Sequence, residues 1–258
     1  MRIIDHLSGN HDARPAGGAP DMLVLHYTGM RSLDEALERL CDPQAKVSAH
    51  YLIAEDGRVF RLVDEERRAW HAGVAEWEGV RDINGRSIGI ELENPGHAFG
   101  YRAFPEPQIR ALMTLAADIV ARHRIRASRI VAHSDVAPMR KQDPGELFPW
   151  ARLADEAGLG LWMDAQGLSM ASAGESSLDL LARFGYGVAQ NAGEDDEVEQ
   201  ALVRAFQRHF RPARIDGLMD AECRAILARL VAAKEAEEAS TGNAAGRRTV
   251  ESTGVRKR

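Results

Sequence analysis

The chain has 258 residues, 45% of them hydrophobic and 28% charged, with a formal net charge of -6. Such values suit a soluble globular protein with one sizeable core and room for a smaller unit. The acidic balance leaves no electrostatic footprint for DNA or RNA, so nucleic acid is not an expected partner.

The opening stretch MRIIDHLSGNHDARPAGGAP has no apolar run of signal-peptide length, and no later segment is long and apolar enough to span a bilayer. The expectation is a cytoplasmic protein without membrane insertion, periplasmic export being the weaker alternative. Met22 to Thr28, MLVLHYT, reads as a buried strand, and SLDEALERLCD follows with helical spacing and Ser32 at its N-cap. Cys41 within it and Cys223 are far apart and read as free thiols, consistent with a reducing compartment.

AHYLIAEDGRVFRLV reads as two strands joined at Asp56-Gly57, a dipeptide that favours a tight hairpin turn. SIGIELEN (Ser87 to Asn94) is a further strand, PEPQIRALMTLAADIVARHRI a long amphipathic helix, and RIVAHSDV a strand running into a loop. Strands separated by helices predict an α/β fold with a mixed central β-sheet flanked by helices. The pattern weakens near Gly158 to Ser177, and helical spacing dominates from Leu178. A small all-α three-helix C-terminal unit is expected there. The organisation read from this is a first domain over 1–165, a linker over 166–176, a helical domain over 177–234 and a disordered polar tail over 235–258.

Three segments carry groups that a strand-end site can collect: LHYT with His26, VAHSDVAP with His133 and RKQDPGELFPW with Asp143. Two imidazoles and one carboxylate suit Zn2+ with a fourth position open, as a hydrolase requires. Taken singly, His26 fits a hydrogen-bonded core histidine and His133 a loop residue, and no HExxH or CxxC spacing decides between these readings. In SIGIELEN the alternation of a strand sets Glu91 and Glu93 on one face and Ile90 and Leu92 on the other. Catalytic carboxylates and a solvated strand face account for that pair equally well.

The segments VLHYT, VSAHYLIAEDG, RAWHAG, SIGIELEN and HSDVAPMRKQDPG occur in that order between Asp21 and Trp162. In this the chain resembles the N-acetylmuramoyl-L-alanine amidases of the AmpD type, whose fold is shared with peptidoglycan recognition proteins and some phage lysozymes. The resemblance implies zinc held by His26, His133 and Asp143, Glu91 as general base and Lys141 as stabiliser of the oxyanion. It implies that His50, Trp70 and His71 line a substrate cleft, with Asn94 and Arg140 as further contacts. Trp70 is equally suited to core packing, and His50 to orienting a metal ligand through a hydrogen bond. The implied reaction is hydrolysis of the amide between N-acetylmuramic acid, or its 1,6-anhydro form, and L-alanine in muropeptides during cell-wall recycling. Soluble muropeptides or peptidoglycan fragments are the implied partners, and an exported amidase acting on intact peptidoglycan is the alternative within the class.

Ser177 to about Ala233, with its GY, AFQRHF and DGLMD features, resembles the small peptidoglycan-binding domain attached to many cell-wall hydrolases. A structural cap on the amidase explains the same spacing. Non-catalytic recognition proteins of this fold form the competing functional class, and they lack metal ligands that this chain retains.

Overall fold

The computed structural model describes residues 1–164, 175–188 and 196–252. Its strands are β1 (Ile3–Asp5), β2 (His11–Ala13), β3 (Met22–Tyr27), β4 (Tyr51–Ile53), β5 (Val59–Arg61), β6 (Arg67–Ala69), β7 (Ser87–Leu92) and β8 (Ile130–Ala132). Its helices are α1 (Leu33–Cys41), α2 (Ile83–Arg86), α3 (Gly96–Phe99), α4 (Glu106–His123), α5 (His133–Val136), α6 (Trp150–Ala157), α7 (Ser177–Phe184), α8 (Asp196–Phe210) and α9 (Ala221–Ser252).

Six strands form one mixed sheet in the order β1-β5-β4-β7-β3-β8, while β2 and β6 form a separate antiparallel pair. Only β4 and β5 pair antiparallel within the large sheet, joined through Asp56 and Gly57 as expected. The central strands β4, β7, β3 and β8 are parallel, so their C-terminal ends lie on one edge. Ligand sites in such sheets gather beyond those ends.

Period-two alternation assigns each strand residue to one of two layers. Leu23 and Leu25 of β3, Ile88, Ile90 and Leu92 of β7, and Ile130 and Ala132 of β8 pack under α4 with Ile109, Leu112, Leu115 and Ile119. Met22, Val24 and Val131 face the opposite layer, where they join Trp77, Leu181, Phe206, Cys223, Leu227 and Val231 in one continuous apolar cluster. The C-terminal helices therefore complete the core on one face of the six-stranded sheet.

Continuing the alternation by one step brings His26, Glu91 and His133 to that second face at the C-terminal edge. The β3–β7 register pairs His26 with Glu91 directly. β8 passes into α5, a single helical turn beginning at His133 where the sequence leads only to a loop.

Ser32 caps α1 by accepting from the Glu35 N–H at 3.2 Å. Most of the expected linker lies outside the described residues, and Ser176 at its end caps α7 by accepting from Asp179 N–H. The polar stretch expected as a disordered tail instead extends α9 to Ser252, with residues 253–258 outside the described residues. Alanine and glutamate favour helix, and Glu237 fastens this segment by accepting from Ala127 N–H at 2.7 Å and Ser128 Oγ–H at 2.6 Å. Cys41 and Cys223 are both free thiols. No helix among the described residues is long and apolar enough to cross a membrane.

Candidate metal centre

His26 at the end of β3, His133 at the start of α5 and Asp143 in the following loop converge on one point. His26 Nδ1 lies 2.9 Å from His133 Nδ1 and 3.1 Å from Asp143 Oδ2, and His133 Nδ1 lies 2.9 Å from the same oxygen. All three residues are buried, at 1%, 3% and 6% exposure. They form a His-His-Asp group able to hold a metal ion.

Proton placement gives this triangle its character. His26 Nε2 is 3.0 Å from His71 Nδ1, and His71 Nε2 is 3.1 Å from Ser87 Oγ, whose hydroxyl donates to the Ile83 carbonyl at 2.6 Å. That chain is satisfied when Nε2 of each histidine carries its proton. His133 Nε2 likewise donates to the Ala72 carbonyl at 3.1 Å. Both Nδ1 atoms are then lone pairs aimed at each other and at a carboxylate oxygen, an arrangement able to hold a cation at its centre.

Electrostatics favour a neutral His26 and an ionised Asp143. Burial, reinforced by the neighbouring His133, lowers the His26 pKa to about 4. Burial pushes the Asp143 carboxyl up, but the charges and hydrogen bonds of His133 and His26 outweigh it and hold the group well below the usual carboxylate range. Burial first, then His26 and His50, depress His71 strongly.

A cleft of about 420 Å3 opens over this group, lined among others by Trp70, His71, Glu91, His133, Arg140, Lys141 and Asp143. Glu91 is half-buried, and its Oε2 atom is buried with no hydrogen-bond partner among the described residues. Burial and the charge of Asp143 raise its pKa well above the ordinary carboxylate value, with Lys141 opposing. Glu93 has a different environment, because β7 ends at Leu92 and the Glu93 Oε2 accepts from the Glu55 N–H at 2.9 Å.

Trp70 is half-buried on the cleft wall. Arg140 donates to the Ala72 carbonyl at 3.1 Å and to that of Val74, fastening the loop that also receives His133 Nε2. The fold engages the other two expected contacts elsewhere. His50 is fully buried, accepting from Gly89 N–H at Nδ1 (3.0 Å) with Nε2 3.1 Å from the Arg67 carbonyl. Burial, then the charge of Arg14, lowers its pKa to about 3. Asn94 is fully buried and braces its own loop, donating to the Arg102 carbonyl at 2.7 Å and accepting from Gly96 N–H at 3.0 Å.

Sequence reasoning passed over two groups close to the His-His-Asp group. Ser87 ends the proton chain behind His26, and its place two residues from Gly89 and four from Glu91 on one strand face was a usable signal. Asp135, inside the quoted HSDVAP segment, is fully buried and bonded to Tyr186 and His209 of the C-terminal helices. Nothing in local spacing announces those distant partners.

Residues 16–146 match the family model described as N-acetylmuramoyl-L-alanine amidase. The chain is 43% identical over 226 residues to the N-acetylmuramoyl-L-alanine amidase AmiD of Escherichia coli, covering 80% of each protein. It is 34% identical over 162 residues to the 1,6-anhydro-N-acetylmuramyl-L-alanine amidase AmpD of the same species, covering 56% of this chain and 86% of that protein. Among solved structures it resembles E. coli AmiD in complex with the substrate anhydro-N-acetylmuramic acid-L-Ala-D-gamma-Glu-L-Lys, with a TM-score of 0.74, 41% identity and coverage of 85% and 90%. AmpDh3 from Pseudomonas aeruginosa is similar to the same degree, with a TM-score of 0.74, 37% identity and coverage of 84% and 92%. With its model spanning half of the chain and AmiD aligned well beyond it, this chain belongs to the N-acetylmuramoyl-L-alanine amidase family.

Proposed function

We propose that this amidase is a zinc enzyme in which His26, His133 and Asp143 hold the metal, Glu91 transfers the proton and Lys141 stabilises the oxyanion. One observation carries the reading: two imidazole lone pairs and a carboxylate oxygen meet within 3.1 Å at the base of a cleft that also holds a carboxylate with a buried, unpartnered oxygen. Ligand atoms around a tetrahedral zinc with bonds of about 2.0–2.1 Å stand about 3.3 Å apart. The observed separations reach that geometry with an outward movement of a few tenths of an ångström, so the donor set fits the ion.

Bound zinc would acidify water toward neutrality and polarise the scissile carbonyl. Glu91 takes the proton from the attacking water as its oxygen adds to the carbonyl carbon. The Lys141 ammonium, on the same cleft wall, faces the negative charge that develops on the carbonyl oxygen. Glu91 then delivers the proton to the departing nitrogen, leaving a carboxylate on the muramic acid side and a free amino terminus on L-alanine. Trp70 offers an aromatic face to a sugar ring at the cleft wall, and Arg140 a cationic group to a peptide carboxylate.

In this reading the substrates are soluble 1,6-anhydro-muropeptides of cell-wall recycling, and the bond cut is the amide between the muramic acid and L-alanine. Support comes from the relatives' solved complexes with anhydro-muramyl peptides. The same reading divides the chain into an amidase over 1–165 and a helical unit over 177–234. It locates the work in the cytoplasm, in keeping with two free thiols, which fractionation of native cells checks. Incubating the purified zinc-loaded protein with 1,6-anhydro-muramyl peptide should release an L-alanine-initiated peptide in the mass spectrum. Release that persists undiminished in Asp143→Ala would remove the metal assignment.

A further inference from the structure

Behind the metal centre, on the side away from the cleft, lies a second cluster. Asp135 sits two residues after His133 in the single turn α5 and is fully buried. Its Oδ2 accepts from the N–H of Ala132, the residue just before His133, at 2.8 Å. Its other contacts come from the C-terminal helical unit: Tyr186 donates to Oδ1 at 2.7 Å, and His209 Nδ1 lies 2.6 Å from Oδ2. The His209 ring is stacked between Trp150 of α6, at 3.7 Å, and Phe210, at 3.8 Å. Stacking on the first ring of α6 fixes where the imidazole can present its proton.

The turn that carries this carboxylate also joins two of the metal ligands. Ser134 N–H donates to the Asp143 carbonyl at 3.0 Å, and Ala137 N–H to the His133 carbonyl at 3.0 Å. A shift of α5 therefore changes the distance between His133 and Asp143. Without Tyr186 and His209, Asp135 would retain only the Ala132 N–H as a donor while remaining buried. A buried acceptor site left unmatched is costly, and moving the turn toward water is the available relief.

We propose that Tyr186 and His209 are positioning residues of the amidase reaction: through Asp135 they set the turn that presents His133, so the C-terminal helical unit is part of the scaffold of the metal centre. The proposal rests on the assignment of His26, His133 and Asp143 as ligands. It gives the helical unit a role in catalysis that does not require it to touch the cell wall.

The test uses the full chain and reads zinc affinity by competition with a chromogenic chelator, together with kcat, KM and the melting temperature. Tyr186→Phe deletes one hydroxyl, and His209→Phe keeps the stacking but removes the ring proton. Each should weaken zinc binding about tenfold to a hundredfold, the range for residues that orient metal ligands, and lower kcat with KM little changed. His209→Asn, which keeps a side-chain N–H near the Nδ1 position, should recover most of the zinc affinity. Leu227→Ala, a cavity in the shared core at a side chain that makes no hydrogen bond to Asp135, should lower the melting temperature and leave zinc affinity alone.

Wild-type zinc affinity and kcat in both Tyr186→Phe and His209→Phe would overturn the proposal. So would an equal loss of affinity in Leu227→Ala, which would show general destabilisation instead. Should His209→Phe fail to fold, Tyr186→Phe carries the test by itself. Asp143→Ala in the same titration separates the two levels: if it keeps zinc, the ligand assignment falls and the proposal with it. If it loses zinc while Tyr186→Phe does not, only the positioning role falls.

Discussion

Two clusters of nearly the same chemistry stand on either side of α5. In the cleft, His26, His133 and Asp143 present three acceptors to one another, because the Nε2 protons are already committed to His71 and Ala72. Behind the turn, Asp135 meets three donors, from Ala132, Tyr186 and His209. Histidine and aspartate occur in both, yet only the first has lone pairs left over to hold a cation. The count of protons against lone pairs, and not the residue types, separates a group able to hold a metal from a structural brace.

The largest break in this comparison comes from removing an acceptor on the cleft side. Asp143→Ala should lose zinc, by metal analysis, and drop turnover to background, a loss at least as large as the roughly 10²–10⁴-fold expected for deleting a proton-transfer group. Glu91→Gln should show that latter loss by itself, about 10²–10⁴-fold in kcat, with zinc retained in the same metal analysis. Zinc lost along with activity in Glu91→Gln would place this carboxylate among the ligands and redraw the cleft side of the comparison.

A third variant disturbs the proton chain without touching a ligand. A Cβ at Gly89 would come within 2.5 Å of the His71 ring. Gly89→Ala should therefore displace His71, lower stability by about 1–3 kcal/mol through overpacking, and weaken zinc about tenfold. Chemical denaturation and chelator competition read the two effects separately.

The smallest effect on zinc belongs to a satisfied cluster outside the His-His-Asp group. Glu65 accepts from Tyr51 at 2.7 Å and from Arg122 Nη2 at 2.8 Å, with His123 Nε2 at 2.5 Å. Burial raises its pKa, but the hydrogen bonds of Arg122, His123 and Tyr51 prevail and lower it from 4.5 to about 2. Its folded pKa is depressed, so its stabilisation is complete above 4.5 and fades as pH falls toward 2. Glu65→Gln should cost about 2 kcal/mol at neutral pH, a gap from wild type that narrows in urea melts across that acid window, with zinc affinity unchanged throughout.

What the sequence revealed and what it concealed divide along the range of the interactions. The strand over Met22–Tyr27, the Ser32 cap and the Asp56-Gly57 hairpin depend on neighbours a few residues away, and periodicity or turn chemistry reports them. The shared face of His26 and Glu91 follows from alternation once the two strands pair in register. His50, by contrast, is engaged by Arg67 and Gly89 in a way that only tertiary contact decides. The Asp135 brace joins residues 51 and 74 positions apart. The stretch of α9 around Glu237 escaped composition because that carboxylate grips a turn 109 and 110 residues upstream.

The continuous apolar cluster from Met22 and Val24 to Leu227 and Val231 also has a meaning for biosynthesis. The cover over one face of the first long strand is incomplete until nearly the last apolar residues have been translated. At about 5–20 residues per second that interval is roughly 10–40 s. Throughout it the growing chain exposes a half-built sheet, a period in which a chaperone at the ribosome has a defined surface to shield.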